Sequence, residues 1–270
     1  MVKICCATMV KDEADIIRQW IEYHGNLFSY ENLYIIDNYS TDNTYEICEE
    51  YLSKGINLQR RHEYIHKGYY MTEIMKNTTC DFFIPIDIDE FIVYYNKTEN
   101  VVECSNVVTY LNELKCLHPE NALFKMDCIL PLRTNDDPIL LKQFTHGFMS
   151  PQGLNAKSFL QTIPNNIVID HGNHMPYENH ILTDLFIIHY HKRSDIQHKT
   201  KIINNVIGLG HKLELDYLKQ LGDVSGAHHI QMAIHMLENP SVSNAPPIQM
   251  PNNTSISFHN FINVIHPVSN

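Results

Sequence analysis

The sequence predicts an α/β protein: a mainly parallel sheet flanked by helices, with a C-terminal helical appendage. Two observations carry that prediction. Short apolar runs without helical period recur through the first ninety residues, separated by segments with helical periodicity and joined by short loops, the pattern of βα units. From residue 194 onward only the helical period remains.

The first strand is "VKICCATMV", apolar throughout and so buried on both faces. A helix follows, with Asp12 as its expected N-cap and Ile16, Ile17, Trp20, Ile21, His24 and Leu27 at helical spacing. "NLYIID" is the second strand, "STDNTYEICEEYLSKG" a helix capped by Ser40 or Thr41 and closed by Gly55, and "INLQRR" the third strand. A helix near 68–78 leads to the strand "DFFIPID". In the second half the pattern predicts a helix at "NVVTYLNELK", a strand at "NALFKMDCIL", and a polar lid or acceptor loop from Arg133 to Gln152. Strands are expected again at "KSFLQTI", "NIVID" and "LTDLFIIHYH", then helices from Ser194 to Ile207, Leu213 to Leu221 and Gly226 to Leu237. The expected division is one domain over 1–193, helices over 194–238, and an extended or disordered tail over 239–270, rich in Pro, Asn and Ser.

A chain of 270 residues, 44% hydrophobic, is long enough to bury a substantial core. Its 20 Lys and Arg against 31 Asp and Glu leave a formal charge of −11, with no basic run to track a phosphate backbone, so nucleic acid is not an expected partner. No stretch reaches the roughly 20 apolar residues of a membrane span and the N-terminus lacks a signal-like apolar run, so a cytoplasmic protein is expected. The seven cysteines form no C-x-x-C pair and read as reduced core thiols.

The stretch "FFIPIDIDEFIVYY" places Asp87, Asp89 and Glu90 at the end of the fourth strand. Ligands of open parallel sheets gather beyond the carboxyl ends of the strands. Clustered carboxylates repel one another, and a hard divalent cation such as Mn²⁺ or Mg²⁺ relieves that repulsion. The plainer alternative has Asp87 capping a turn while Asp89 and Glu90 face water. Among the seventeen histidines, His171 with His174 and His189 with His191 form local pairs, the latter on one face of a strand.

"MVKDEADIIRQWIEYH", "LYIIDNYSTDNT" and "FIPIDIDEFI", followed by "IIHYHKRS", resemble in that order the nucleotide-sugar-dependent glycosyltransferases of the GT-A fold, in the family 2-like branch with a DxDEF motif. The resemblance covers residues 1–95 and 184–201 and is weak between them. It implies a Rossmann-like GT-A domain, with a nucleotide-sugar-binding half over 1–95 and an acceptor half over 96–193. By the same resemblance Ala7, Met9 and Glu13 line the nucleotide pocket, and Asp37, with Asn38 beside it, meets the base. Asp87 approaches the ribose and the metal, Asp89 binds the metal directly, and His189 completes its shell, with His191 as the alternative. Lys199 and Lys201 meet the diphosphate.

The implied activity is transfer of a hexose from a UDP-sugar to a glycan, protein or lipid-linked acceptor, with inversion. Inversion calls for a base, and Asp127, Asp136, Asp137, Asp170 and Glu178 are the candidates. Two other readings compete: a nucleotidyltransferase, whose glycine-rich loop is missing from "CATMVKDEAD", and an inactive carbohydrate-binding relative. The C-terminal helices are a candidate surface for homo-oligomer formation.

Overall fold

Four parallel strands lie side by side in the computed structural model, which describes residues 2–118, 122–134, 140–151, 155–161, 167–175, 179–221, 227–239 and 255–258. Strand β1 (Ile4–Val10) pairs with β2 (Leu33–Asp37) on one side and β4 (Phe82–Pro85) on the other, and β3 (Asn57–Arg60) extends β2 outward. All seven residues of β1 are buried, as its unbroken apolar run requires of a strand with neighbours on both edges and both faces covered. Helices α1 (Ile17–Phe28), α2 (Thr44–Glu49) and α3 (Lys67–Asn77) connect these strands. Helix α1 buries Trp20, Ile21, His24 and Phe28 in the main core.

The rest of the sheet is mixed, not mainly parallel. Strands β5 (Glu90–Asn96), β6 (Val101–Glu103), β7 (Leu123–Arg133), β8 (Phe144–Met149), β9 (Lys157–Gln161), β10 (Ile181–His189) and β11 (Ile256–Phe258) complete, among the described residues, eleven strands in one sheet. The pairs β5/β6, β5/β10, β4/β9, β7/β8 and β7/β9 are antiparallel. The physical reason is connection length: β5 and β6 are joined by a short loop with no helix, and a parallel return needs a crossover of a dozen or more residues. β7 carries β10 along one edge and β9 then β8 along the other.

Helix α4 (Val107–Leu117) precedes β7, and α5 (Asp195–Gly208), α6 (Leu215–Gln220) and α7 (Ala227–Glu238) share a separate small core around Ile202, Val206, Leu218 and Ile230. No helix among the described residues is long and apolar enough to cross a membrane. All seven cysteines are free thiols, five of them buried.

Several local expectations are corrected. Asp12 does not cap α1: it takes a left-handed φ of 54° and its carboxylate accepts from Thr41 N at 2.6 Å, tying the first βα loop to the second. Helix α2 starts at Thr44, where Asp42 accepts the Thr44 amide, instead of at Ser40 or Thr41. The described part of "NIVID", residues 167–170, is not a strand. The presumed loop from Arg133 contains β8, and the presumed tail supplies β11 between β6 and β8.

Candidate active site

The site forms where β1 and β4 end. Ile86 N still donates to Ala7 O at 3.0 Å, and the chain then turns through Asp87 to Asp89 before β5 begins. Glu90 closes that turn twice, its amide bonding Asp87 O at 3.1 Å and its carboxylate accepting Asp87 N at 2.8 Å. Antiparallel pairing sets His189, the last residue of β10, opposite Glu90, and Tyr190 N donates to Asp89 O at 2.8 Å. This register brings the late histidine segment onto the carboxylate turn.

The Asp89 side chain is fully buried among basic side chains. Its Oδ2 lies 3.2 Å from His189 Nε2, 4.0 Å from His191 Nδ1 and 3.8 Å from an Arg193 guanidinium nitrogen, and Lys201 Nζ donates to the same oxygen. Burial alone would raise the Asp89 carboxyl, but Lys201 and His189 hold it well below the usual carboxylate range. Burial would likewise lower His189, and Asp89 reverses this and pushes the imidazole up to about 10. His191 goes the other way, lowered by burial and then by Lys201, so it is neutral.

Asp89, His189 and His191 offer ligand atoms that all lie within 4.8 Å of one another. Asp89 Oδ1 is buried and has no hydrogen-bond partner among the described residues. One carboxylate with a spare oxygen and two imidazoles fits a divalent transition ion such as Mn²⁺ better than Mg²⁺, which prefers an all-oxygen shell. The plainer alternative for this motif fails: Asp89 and Glu90 are both wholly buried.

Asp87 is not in that group. Its Oδ1 is bonded by Lys67 Nζ, its Oδ2 by Lys157 Nζ at 2.7 Å, and Asn173 Nδ2 adds a contact at 3.3 Å. Lys157 also stands 3.4 Å from Glu90 Oε1. Burial disfavours the Asp87 charge, and Lys157 and Lys67 more than offset that and depress its pKa. Both lysines are themselves buried. Sequence reasoning missed them, since neither stands in a recognisable motif. It also missed Arg193, although that residue lies inside "IIHYHKRS": its guanidinium bonds Glu13, Asp15 and the Tyr190 carbonyl.

A cavity of about 680 Å³ opens over this turn. Of the residues expected around the donor, Met9, Glu13, Asn38, Asp87 and Lys201 line it. Ala7 belongs instead to the core against α3, and Lys199 is not among the lining residues. Asp37 is buried beside the cavity wall, its carboxylate taken by Arg60 Nε at 2.8 Å and the Ser40 amide at 3.2 Å. Glu13 is bonded by Arg193 and Gln197, and burial raises its carboxyl despite the Arg193 charge. Of the expected bases, Asp170 lines the cavity and Asp127 does not; Asp136, Asp137 and Glu178 lie outside the described residues. The helices of the presumed appendage contribute to the cavity wall through Asn204 and Asn205 of α5 and through His228, His229 and Met232 of α7.

No family model and no curated protein matches the chain. Among solved structures, S. aureus TarS is similar with a TM-score of 0.44 and 12% identity, over 88% of this chain and 43% of that one. TarS 1-349 in complex with UDP is similar with a TM-score of 0.39 and 10% identity, over 88% and 71% of the two chains. Glucosyl-3-phosphoglycerate synthase from Mycobacterium tuberculosis, in complex with Mn²⁺, UDP and glucosyl-3-phosphoglycerate, has a TM-score of 0.32 and 17% identity, over 48% and 44%. This chain therefore spans less than half the length of the first and third of these.

Proposed function

We propose that the protein is a metal-dependent glycosyltransferase of the GT-A kind, which moves a sugar from a UDP-sugar to an acceptor hydroxyl with inversion. The observation that carries this reading is the group of buried Asp89 with the half-buried His189 and His191, with an unbonded Asp89 oxygen, at the carboxyl end of the central strands in a cavity of ligand size. The ordered motif blocks support it, because the third and fourth of them, far apart in the chain, meet at that group.

Asp89, His189 and His191 would hold Mn²⁺, which stabilises the negative charge that develops on a departing nucleoside diphosphate. Lys201 takes part from α5: it neutralises Asp89 in the metal-free protein and, when released, stands ready to pair with a diphosphate oxygen. Lys67 and Lys157 hold Asp87 in place and add positive charge to the cavity floor, which lets an acidic protein accept an anionic donor. Met9 and Asn38 sit on the cavity wall toward the ends of β1 and β2, where the nucleoside would lie. Asp37 acts one step back, holding Arg60 and the turn at Ser40 that shapes this wall.

Calorimetry with UDP tests the reading. Binding should require Mn²⁺, vanish in EDTA and vanish in Asp89→Asn, and a screen of UDP-sugars with Mn²⁺ should show release of UDP. Equal UDP affinity with and without metal would refute it.

A further inference from the structure

We propose, resting on the glycosyltransferase reading, that the His174 imidazole is the base that takes the proton from the acceptor hydroxyl. Every described carboxylate that lines the cavity already has a cation or amide partner within the protein, and the one spare oxygen of Asp89 belongs to the proposed metal group. Glu13 is held by Arg193 and Gln197, Asp87 by Lys67 and Lys157, and Asp89 by Lys201 and His189. Glu90 accepts the Asp87 amide and faces Lys157. Asp170 spends one oxygen on the Gly172 amide at 3.1 Å and the other on the Met175 amide at 2.6 Å. Lysines and His189 depress the Asp87 and Asp89 carboxyls and weaken them as proton acceptors, whereas burial raises Glu13 and Glu90, whose oxygens are engaged by Arg193 and Gln197 and by the Asp87 amide.

His174 is differently placed. It is exposed on the cavity wall, and its Nδ1 lies 2.7 Å from the Ala156 carbonyl. A carbonyl only accepts, so Nδ1 carries the proton, and it is Nε2 that presents the lone pair in the neutral ring. Among the described residues nothing is bonded to that Nε2.

The loop around it is fixed at a cost in backbone strain. Asn173 and Met175, on either side of His174, take left-handed φ values of 60° and 42°, a rare state for a side chain as bulky as methionine. Bonds from Lys157 Nζ to Gly172 O at 2.7 Å and from Ser158 Oγ to His174 O at 2.6 Å hold the loop in that state, together with those of Asp170. Lys157 also bonds Asp87, so one side chain sets the distance between the histidine loop and the carboxylate turn. A Cβ at Gly172 would fall 2.5 Å from His174 Cδ2, so the ring lies directly against that glycine.

In the step proposed, the acceptor oxygen bonds to the anomeric carbon as the bond from that carbon to the phosphate oxygen breaks. The breaking pair stays on the diphosphate, and the hydroxyl proton passes to His174 Nε2. The resulting imidazolium returns its proton to water after the products leave.

The test uses UDP-glucose, UDP-galactose and UDP-N-acetylglucosamine with Mn²⁺ and water as acceptor. His174→Ala should lower kcat for hydrolysis by about 10²- to 10⁴-fold while the calorimetric affinity for UDP with Mn²⁺ is kept, and added imidazole should restore rate in proportion to its concentration. Gly172→Ala, which displaces the ring, should reduce kcat with UDP affinity again unchanged. In ¹⁵N-labelled protein without metal, the His174 ring should show protonated Nδ1 and bare Nε2. The base assignment is overturned if His174→Ala retains kcat, if it loses UDP affinity in step with kcat, or if the ring is protonated at Nε2. Failure of the wild type to bind UDP with Mn²⁺ would instead reject the underlying reading, and the assignment with it.

Discussion

Asp89 Oδ2 and His189 Nε2 stand 3.2 Å apart in the buried floor of the cavity, joined because the antiparallel register of β5 and β10 sets His189 against the residue after Asp89. In the metal-free protein the pair is a carboxylate and an imidazolium, the latter pushed up to about 10 by Asp89 against the opposing effect of burial. Coordination needs the neutral imidazole, so Mn²⁺ binding at neutral pH should release about one proton. Calorimetric titration with Mn²⁺ in buffers of different ionisation enthalpy will measure it. Enthalpies that do not vary with the buffer would remove His189 from the metal shell. His191→Ala should raise the Mn²⁺ concentration for half-saturation as His189→Ala does, since both rings lie within the same ligand group.

Lys157 neutralises Asp87 and faces Glu90 while itself almost wholly buried. Lys157→Met leaves the buried Glu90 short of a counter-charge and the partly exposed Asp87 with Lys67 alone, and should destabilise the fold by about 3 kcal/mol. Adding Asp87→Asn should recover part of that loss. Urea unfolding of the two single variants and the double variant gives the coupling, and strict additivity would show that the pair is not an energetic unit.

His24 lies at the centre of the aromatic core of α1, its ring stacked on Phe91 at 5.6 Å and bonded to Trp20 O, and burial pushes it down to about 3. The unfolded chain, with an ordinary value near 6.5, binds a proton that the folded protein refuses. Its contribution is therefore complete above about pH 6.5 and is lost as pH falls toward 3, and protonating it in place costs roughly 5 kcal/mol. Thermal denaturation between pH 7 and 4 should show a Tm that falls steadily in the wild type and falls less steeply in His24→Phe.

Ser194 caps α5, its hydroxyl accepting the Gln197 amide at 3.1 Å, with Asp195 in the first turn. Ser194→Ala should cost roughly 1 kcal/mol and Ser194→Asp much less. Chemical denaturation of the two variants will check the order, and equal stability of Ser194→Ala and wild type would show that the cap contributes nothing.

The sequence by itself determined the elements of the first half and the place of their chemistry. The period of the apolar residues is a local property of the chain, so β1 to β4 and α1 were legible within a few residues. The carboxylates after β4 were legible for the same reason, because a charged pair in an apolar run has few places to go but a strand end. Which group each carboxylate meets depended on contacts that no local window contains. The resemblance implies that Asp89 meets His189 or His191, and tertiary structure alone gave Asp87 to Lys67 and Lys157, set Lys201 and Arg193 against Asp89, and enclosed Asp37 with Arg60 behind the cavity wall. It also decided strand direction beyond β4, where the helix-free connection from β5 to β6 imposes antiparallel pairing while β10 runs parallel to β7, and it drew β11 out of a presumed tail. Strand direction and charge partnership are long-range, set by register and by the need to neutralise whatever the fold buries, and so they are written in the three-dimensional packing and not in the spacing of residues.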